Sequence, residues 1–322
     1  MNQSAPYSGC IFLFKKQRNL TERRENAARK HQRHIDRKKE RNKNMDHKNK
    51  IRKEIIEAVE ITRKNNPMVG SITNSVTINL VANTQLAVGG SAAMVYLPDE
   101  GEFLAKAAGA TYINVGTLLP VYEETLPHTA QILHELQKPW VLDPVAVGIG
   151  LLRTDLLRKF KNYKPTVIKG NASEVIALAG LWGLDGGTEV SKVRGVDSSD
   201  SVTAASTAAI ALARWTGGAV LVSGQTDLVT DGKVLAMSQG GSHFMEKITG
   251  AGCSLGGVIG VYLAGASPFI AALTAAAVYN LAGQRAEDKV SGPGSFQVQF
   301  IDELYQASGW DIADNPFEIV EV

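Results

Sequence analysis

The sequence predicts an α/β fold with a mostly parallel central sheet covered by helices on both faces. From about residue 51, short apolar runs alternate with helical patterns, the rhythm of strand–helix–strand units. The runs are apolar almost throughout, as strands buried on both sides of a parallel sheet must be. Polar side chains cluster just beyond the ends of those runs, where ligands of open α/β sheets sit.

Ile51, Ile55, Ile56 and Val59 recur at helical spacing and predict a short opening helix. Residues 67–72 predict a strand leading into Thr73-Asn74, either of which could N-cap an apolar helix running through Leu80 to Leu86. Thr111–Val115 predicts a second strand with helices on either side of it, and Trp140–Leu142 a third, ending in Asp143-Pro144. Thr166–Ile168 predicts a fourth, ending in Lys169-Gly170-Asn171, and Ala219–Val222 a fifth, ending in Ser223-Gly224. Helices fill the gaps at about 121–137, 152–160, 172–180 and 200–215, and residues 181–199 read as an aperiodic Gly/Asp/Ser-rich loop. Leu228–Thr230 and Val234–Ala236 flank Asp231-Gly232, a hairpin signature. No long linker and no internal repeat divides 51–322, which reads as one domain.

The net charge of +2 conceals an asymmetry. Residues 1–53 hold 17 of the 34 Lys and Arg but 5 of the 32 Asp and Glu, so residues 54–322 carry 17 basic and 27 acidic side chains. The basic segment, 1–50, has few apolar residues after Phe14 and is expected to be a disordered extension. Its basic residues are not interleaved with aromatics and no groove-reading motif appears, which argues against a nucleic-acid arm. Glu22, Glu25, Asp36 and Glu40 argue against a mitochondrial transit peptide, and Ile11–Phe14 is too short for a signal-peptide core. A translation start at Met45 is a further reading. No apolar run approaches the roughly 20 residues that span a bilayer. Two cysteines in unlike contexts, Cys10 and Cys253, give no disulfide framework or metal cluster, and a cytoplasmic setting is expected.

The most informative segment is Lys247–Gly257. A small-residue loop, Gly250-Ala251-Gly252-Cys253, enters an apolar pattern through Val258, Ile259, Val261 and Leu263. The first N–H groups of a helix are unpaired and carry part of a positive charge, and glycines let a phosphate oxygen approach them. Such a loop can also be a plain packing turn. Asn74, Asn114, Asp143, Lys169, Asn171, Glu174, Ser223 and Cys253 would gather at the same end of the sheet. Individually these cap helices, make turns or lie solvated; together they suit phosphoryl transfer, which needs positioning and charge neutralisation. Gly250–Cys253 would cradle the transferring phosphate, Lys169 would supply fixed positive charge, and Asp143 and Glu174 would offer oxygens to Mg²⁺ through water. Neither a GxxxxGK[ST] loop nor a kinase-type GxGxxG with its lysine is present.

Thr73-Asn74, Ala82-Asn83, Asn114–Leu118, Asp143–Gly148, Gly170–Glu174, Gly250–Cys253 and Gly292–Phe296 together resemble hydroxyethylthiazole kinase, in order and at family spacing from about 50 to 310. The resemblance implies a ribokinase-like fold. It also implies ATP- and Mg²⁺-dependent phosphorylation of the alcohol of 4-methyl-5-(2-hydroxyethyl)thiazole, a salvage step of thiamine biosynthesis, in a cytoplasmic homotrimer with active sites between subunits. By the same resemblance Met94 and Gly250 contact the substrate, joined by Asn74. Lys169 and Ser223 contact ATP, Asp143 and Glu174 are associated with Mg²⁺, and Gly250, Ala251, Gly252 and Cys253 form the anion hole.

This chain departs from the family at four points. Lys169 stands where Arg is usual, which keeps the charge and loses the bidentate fork. Ser223 replaces Thr, Ala251 replaces the Thr of Gly-Thr-Gly-Cys, and Ser91-Ala92 replaces a Ser-Pro ahead of the methionine. Cys253 stands where broader relatives place an Asp base; its thiol at a helix start could serve as a thiolate base or merely shape the pocket.

Three rivals remain open at this point. A related kinase would act on pyridoxal or hydroxymethylpyrimidine. A cysteine hydrolase would pair Cys253 with His243 but leave Lys169 and the two acids unexplained. A nucleotide sensor would bind ATP without turnover.

Overall fold

In a computed structural model the described residues are 45–188 and 198–322. Two units divide at Lys50 and Ile51. Of the first, only 45–50 are described, and these are helical. At 45–50 the expected disorder of the basic segment gives way to helix; the rest of that segment lies outside the described residues, as does the middle of the 181–199 loop.

The second unit opens with helix α1 (51–65), whose Ile51, Ile55 and Val59 are buried as their spacing requires. Among the described residues a nine-stranded sheet follows, in the order β2-β1-β3-β4-β5-β6-β7-β8-β9. The strands β1 (Met68–Ile72), β2 (Ser91–Met94), β3 (Ala110–Asn114), β4 (Trp140–Asp143), β5 (Val167–Asn171) and β6 (Ala219–Ser223) are parallel. Then β7 (Thr226–Thr230), β8 (Val234–Gln239) and β9 (Phe317–Glu321) continue antiparallel. Two cores, one on each face, cover the sheet. One is built on α8 (Ala251–Leu263), α9 (Pro268–Glu287) and α10 (Pro293–Gln306); the other on α4 (Tyr122–Glu135), α5 (Leu151–Tyr163), α6 (Ala172–Leu181) and α7 (Ser198–Thr216). The remaining helices are α2 (Ile78–Ala87), α3 (Pro98–Ala107) and α11 (Gly309–Asp314).

The predicted strands and helices are all present, and the differences lie at edges and ends. The first helix after β1 begins at Ile78, so neither Thr73 nor Asn74 is its N-cap; Asn74 Oδ1 instead accepts the Thr77 N–H (3.2 Å) and closes the turn between them. Strand β2 was hidden because Ser91-Ala92-Ala93-Met94 lacks β-branched residues; its place on the sheet edge explains why weak propensity suffices. Strand β9 carries acidic residues and pairs along the outer side of β8, so only half its face reads as strand. Helix α6 continues to Leu181 and α7 starts at Ser198, which shortens the predicted loop from both sides.

Candidate active site

The carboxyl ends of the six parallel strands bring Met94, Asn74, Asn114, Asp143, Lys169 and Ser223 into one row, in that order across the sheet. Five strand spacings make that row about 24 Å long. Helix α8 begins over its middle. Its N-cap Gly250 has φ +98°, a left-handed conformation that favours glycine, and an added Cβ would lie 2.9 Å from Thr77 Cβ. Gly252 faces the other way, its hypothetical Cβ 3.2 Å from Lys169 Nζ. The loop therefore bridges the β1 side of the row to the β5 side. No side chain among the described residues caps this helix end, so its leading N–H groups point into the site.

Under the loop lies a buried polar network. The Tyr112 hydroxyl is 2.9 Å from Asp143 Oδ2 and 2.7 Å from the Cys253 carbonyl oxygen, and its single proton serves one of these at a time. Asn114 Nδ2 donates to the Tyr112 hydroxyl (2.8 Å) and to Asp143 Oδ2 (3.0 Å). Asn74 Nδ2 donates to Asn114 Oδ1 (3.0 Å) and to Cys253 Sγ (3.5 Å). Lys169 Nζ lies 3.7 Å from Asp143 Oδ2, and both side chains are almost wholly buried. Asp143 Oδ1, also buried, has no hydrogen-bond partner among the described residues. An unsatisfied carboxylate oxygen in such a place is costly unless something else meets it.

Burial pushes the Asp143 carboxyl up to about 6, against the pull of Lys169. Burial works against the Lys169 charge, yet Asp143 and Glu174 hold its pKa above the ordinary value, so the ammonium stays charged. Burial and then the Asp143 charge push the Cys253 thiol up, with Lys169 opposing. Without ligand, Cys253 is therefore a thiol at neutral pH; the helix end alone does not make it a thiolate.

Glu174 is held at the start of α6 by a capping box. Its Oε2 accepts the Asn171 N–H (2.9 Å), Asn171 Oδ1 accepts the Glu174 N–H (2.9 Å), and Glu174 Oε1 accepts the Ala146 N–H (3.2 Å). Ser223 closes the far end of the row, beside a cleft of about 500 Å³ that runs past Gly224, Asp227, Gly241, Gly252 and Asn280. Met94 is half-buried at the opposite end, on the edge strand. His243, on a 3₁₀ turn (His243–Lys247), pairs through Nδ1 with Glu287 (2.7 Å), while Cys253 Sγ accepts from Asn74; among the described residues no hydrogen bond joins His243 to Cys253.

A sequence model of the hydroxyethylthiazole kinase family matches residues 59–309. The chain belongs to the hydroxyethylthiazole kinase family. The hydroxyethylthiazole kinase of Bifidobacterium longum strain DJO10A is 51% identical over 283 residues, covering 82% of this chain and 90% of that protein. That of Leptospira interrogans serovar copenhageni is 45% identical over 253 residues, covering 78% and 92%. Among solved structures, the hydroxyethylthiazole kinase protein of Pyrococcus horikoshii OT3 superposes with a TM-score of 0.73 at 30% identity, covering 83% of this chain and 98% of that one. A Staphylococcus aureus pyridoxal kinase in complex with ADP, at 19% identity and TM-score 0.52, shares the fold, which is ribokinase-like.

The sequence resemblance points to the row of strand-end residues but not to all that surrounds it. Tyr112 reads in sequence as one more apolar strand position; only the burial of its hydroxyl against Asp143 reveals its place. Arg153, on the first turn of α5, donates from Nε to the Val115 carbonyl (2.7 Å) and from its guanidinium to that of Gly116, which fixes the turn after Asn114. Asp227 and Asn280 lie 53 residues apart and join at 3.0 Å, a pairing that no local pattern signals.

Proposed function

We propose that this chain transfers the γ-phosphoryl group of ATP to the hydroxyl of 4-methyl-5-(2-hydroxyethyl)thiazole. The observation that carries the reading is the open, uncapped start of α8 set against a buried, charged Lys169, within a family whose members bear that name. In the reaction the oxygen–phosphorus bond to the thiazole alcohol forms, the bond to the ADP leaving oxygen breaks, and the alcohol's proton passes to an oxygen of the transferred phosphoryl group and from there to water. The leading N–H groups of Ala251, Gly252 and Cys253 donate to the non-bridging oxygens of the transferring group, and the α8 dipole favours their charge. Lys169 neutralises charge from the β5 side. Ser223 holds the nucleotide, and Met94 and Asn74 line the end of the row that takes the thiazole, with Gly250 between the two.

Asp143 and Glu174 fit Mg²⁺ held through water: Asp143 Oδ1 is buried without a partner among the described residues, and Glu174 is fixed in place by its cap. Bound there, Mg²⁺ would neutralise the polyphosphate. Tyr112 and Asn114 hold the other Asp143 oxygen, so Oδ1 keeps its direction. Cys253 contributes its N–H and a neutral thiol; a loose phosphoryl-transfer transition state asks little of a general base. We further propose that residues 51–322 form the kinase domain, that residues 1–50 are an extension to it, that the protein works in the cytoplasm, and that it assembles as a homotrimer.

The test is ADP release by the full chain with ATP and Mg²⁺, with and without the thiazole. Thiazole-dependent release supports the reading. Release that depends instead on pyridoxal or hydroxymethylpyrimidine would move the assignment to those alcohols.

A further inference from the structure

Around Ser223, whose hydroxyl donates to the Gly170 carbonyl (3.4 Å), the cleft is walled by two loops. One is the turn 223–225 between β6 and β7; the other is the segment 240–242 after β8. Asp227 and Asn280 tie both to the body of the protein. Asp227, 6% exposed, accepts the Gly224 N–H at Oδ1 (3.0 Å) and an Asn280 N–H at Oδ2 (3.0 Å). Asn280, 7% exposed on α9, also donates from Nδ2 to Ser238 Oγ (3.1 Å), and its backbone carbonyl accepts the Gly241 N–H (2.9 Å). Gly240 packs so closely that a Cβ there would lie 2.9 Å from Asn280 Cβ. Ser238 is fixed in turn by Asn315 Nδ2 (3.4 Å). The two loops are thus pinned to one carboxylate–amide pair, which itself borders the cleft.

We infer that Asp227 and Asn280 are positioning residues for the nucleotide: by fixing the 223–225 turn against the 240–242 loop they set the width of the cleft that receives it. The inference rests on the reading of this cleft as the ATP side of the site. A preorganised cleft binds more tightly because less ordering remains to be done on binding. The role is one of geometry, and hydrogen-bond capacity decides it. In Asp227→Asn the new amide oxygen can still accept the Gly224 N–H, and a flipped Asn280 amide can accept from the new amide nitrogen and from the Ser238 hydroxyl. In Asp227→Ala both connections are lost.

The experiment measures ATP binding to the full chain by calorimetry, beside the KM for the thiazole, in wild type, Asp227→Ala, Asp227→Asn and Asn280→Ala. Asp227→Ala is expected to weaken ATP binding about tenfold, because the two loops must then be ordered at the moment of binding. Asn280→Ala should weaken it less, Asp227→Asn should lie near wild type, and the thiazole KM should move less than twofold in all three. Equal loss in Asp227→Asn and Asp227→Ala would show that charge acts rather than geometry and would overturn the inference. So would wild-type ATP affinity in Asp227→Ala, or a parallel loss of thiazole and ATP affinity. Should Asp227→Ala not fold, the same comparison in Asn280→Ala decides. A wild-type chain that binds ATP but ignores the thiazole would refute the substrate reading, and the order of ATP affinities among the variants would still decide this inference.

Discussion

Gly256→Ala should injure this protein more than a glycine-to-alanine change in a helix usually does. Gly256 lies in the second turn of α8, buried against β3. An added Cβ would sit 2.5 Å from Tyr112 Cε2, 2.8 Å from Cζ and 2.9 Å from the hydroxyl oxygen. Tyr112 is fully buried and cannot swing aside, so either the ring shifts or α8 lifts from the sheet. Overpacking of this kind costs about 1–3 kcal/mol. A shifted ring also breaks the tie between Asp143 and the Cys253 carbonyl, leaving a buried group unmet at about 1–3 kcal/mol. Alanine's helix propensity returns about 1 kcal/mol. The net expectation is a loss of about 3 kcal/mol, read as a lower midpoint in urea unfolding. Because the shift displaces the first turn of α8, phosphoryl transfer should fall too. Tyr112→Leu on top of Gly256→Ala removes the ring and should restore part of the stability, a positive coupling between the two sites. Gly256→Ala with wild-type stability would refute the reasoning and show that α8 can move freely on the sheet.

Other expectations follow from the same geometry. Burial holds the Asp227 carboxyl at about 6 and the Asp143 carboxyl at about 6, both above the unfolded value of about 4. The folded state then binds these protons more tightly, so ligand-free stability should rise as pH falls from above 6 towards 4, by at most about 3 kcal/mol for Asp227. A thermal midpoint that falls steadily from pH 7 to 5, or an Asp227→Asn variant with the same slope as wild type, contradicts this. Asp311, held at about 2 by Ser308 and Arg285, works in the opposite sense, its contribution being lost as pH falls from about 4 through 2. Ser308→Ala removes the α11 cap and should cost about 1 kcal/mol in urea unfolding with turnover unchanged. Asn171→Ala should cost a similar amount of stability but lower turnover, because Glu174 loses half its capping box. Lys169→Met should lower kcat/KM by about a hundredfold in steady-state assays, as loss of a charge at a transferring phosphate does.

The sheet was legible because its interior strands are apolar throughout, and the candidate site because its residues directly follow the apolar runs of those strands. Strand ends are local in sequence, so Asp143, Lys169 and Ser223 could be placed by counting from the last apolar residue. Edges were harder. Strand β2 has little burial to enforce β-branched residues, and β9 carries acids that lie exposed. Asn74 looked like a helix cap because Asn often is; its Oδ1 does close a turn, but its amide turns inward to Asn114 and Cys253. The Cys253 thiol is governed by burial and by Asp143, a residue far earlier in the chain, so the helix start alone misjudges it. Tyr112 and the Asp227–Asn280 pair were invisible for the same reason: each acts through partners that only the folded sheet brings near.

The most direct test of the account is to identify the product. The full chain, incubated with ATP, Mg²⁺ and equimolar hydroxyethylthiazole, pyridoxal and hydroxymethylpyrimidine, should yield the thiazole phosphate as the dominant phosphorylated product by phosphorus NMR and mass spectrometry, with one ADP formed per product. Phosphorylation chiefly of pyridoxal or of the pyrimidine, or ADP release with no phosphorylated alcohol, would contradict it.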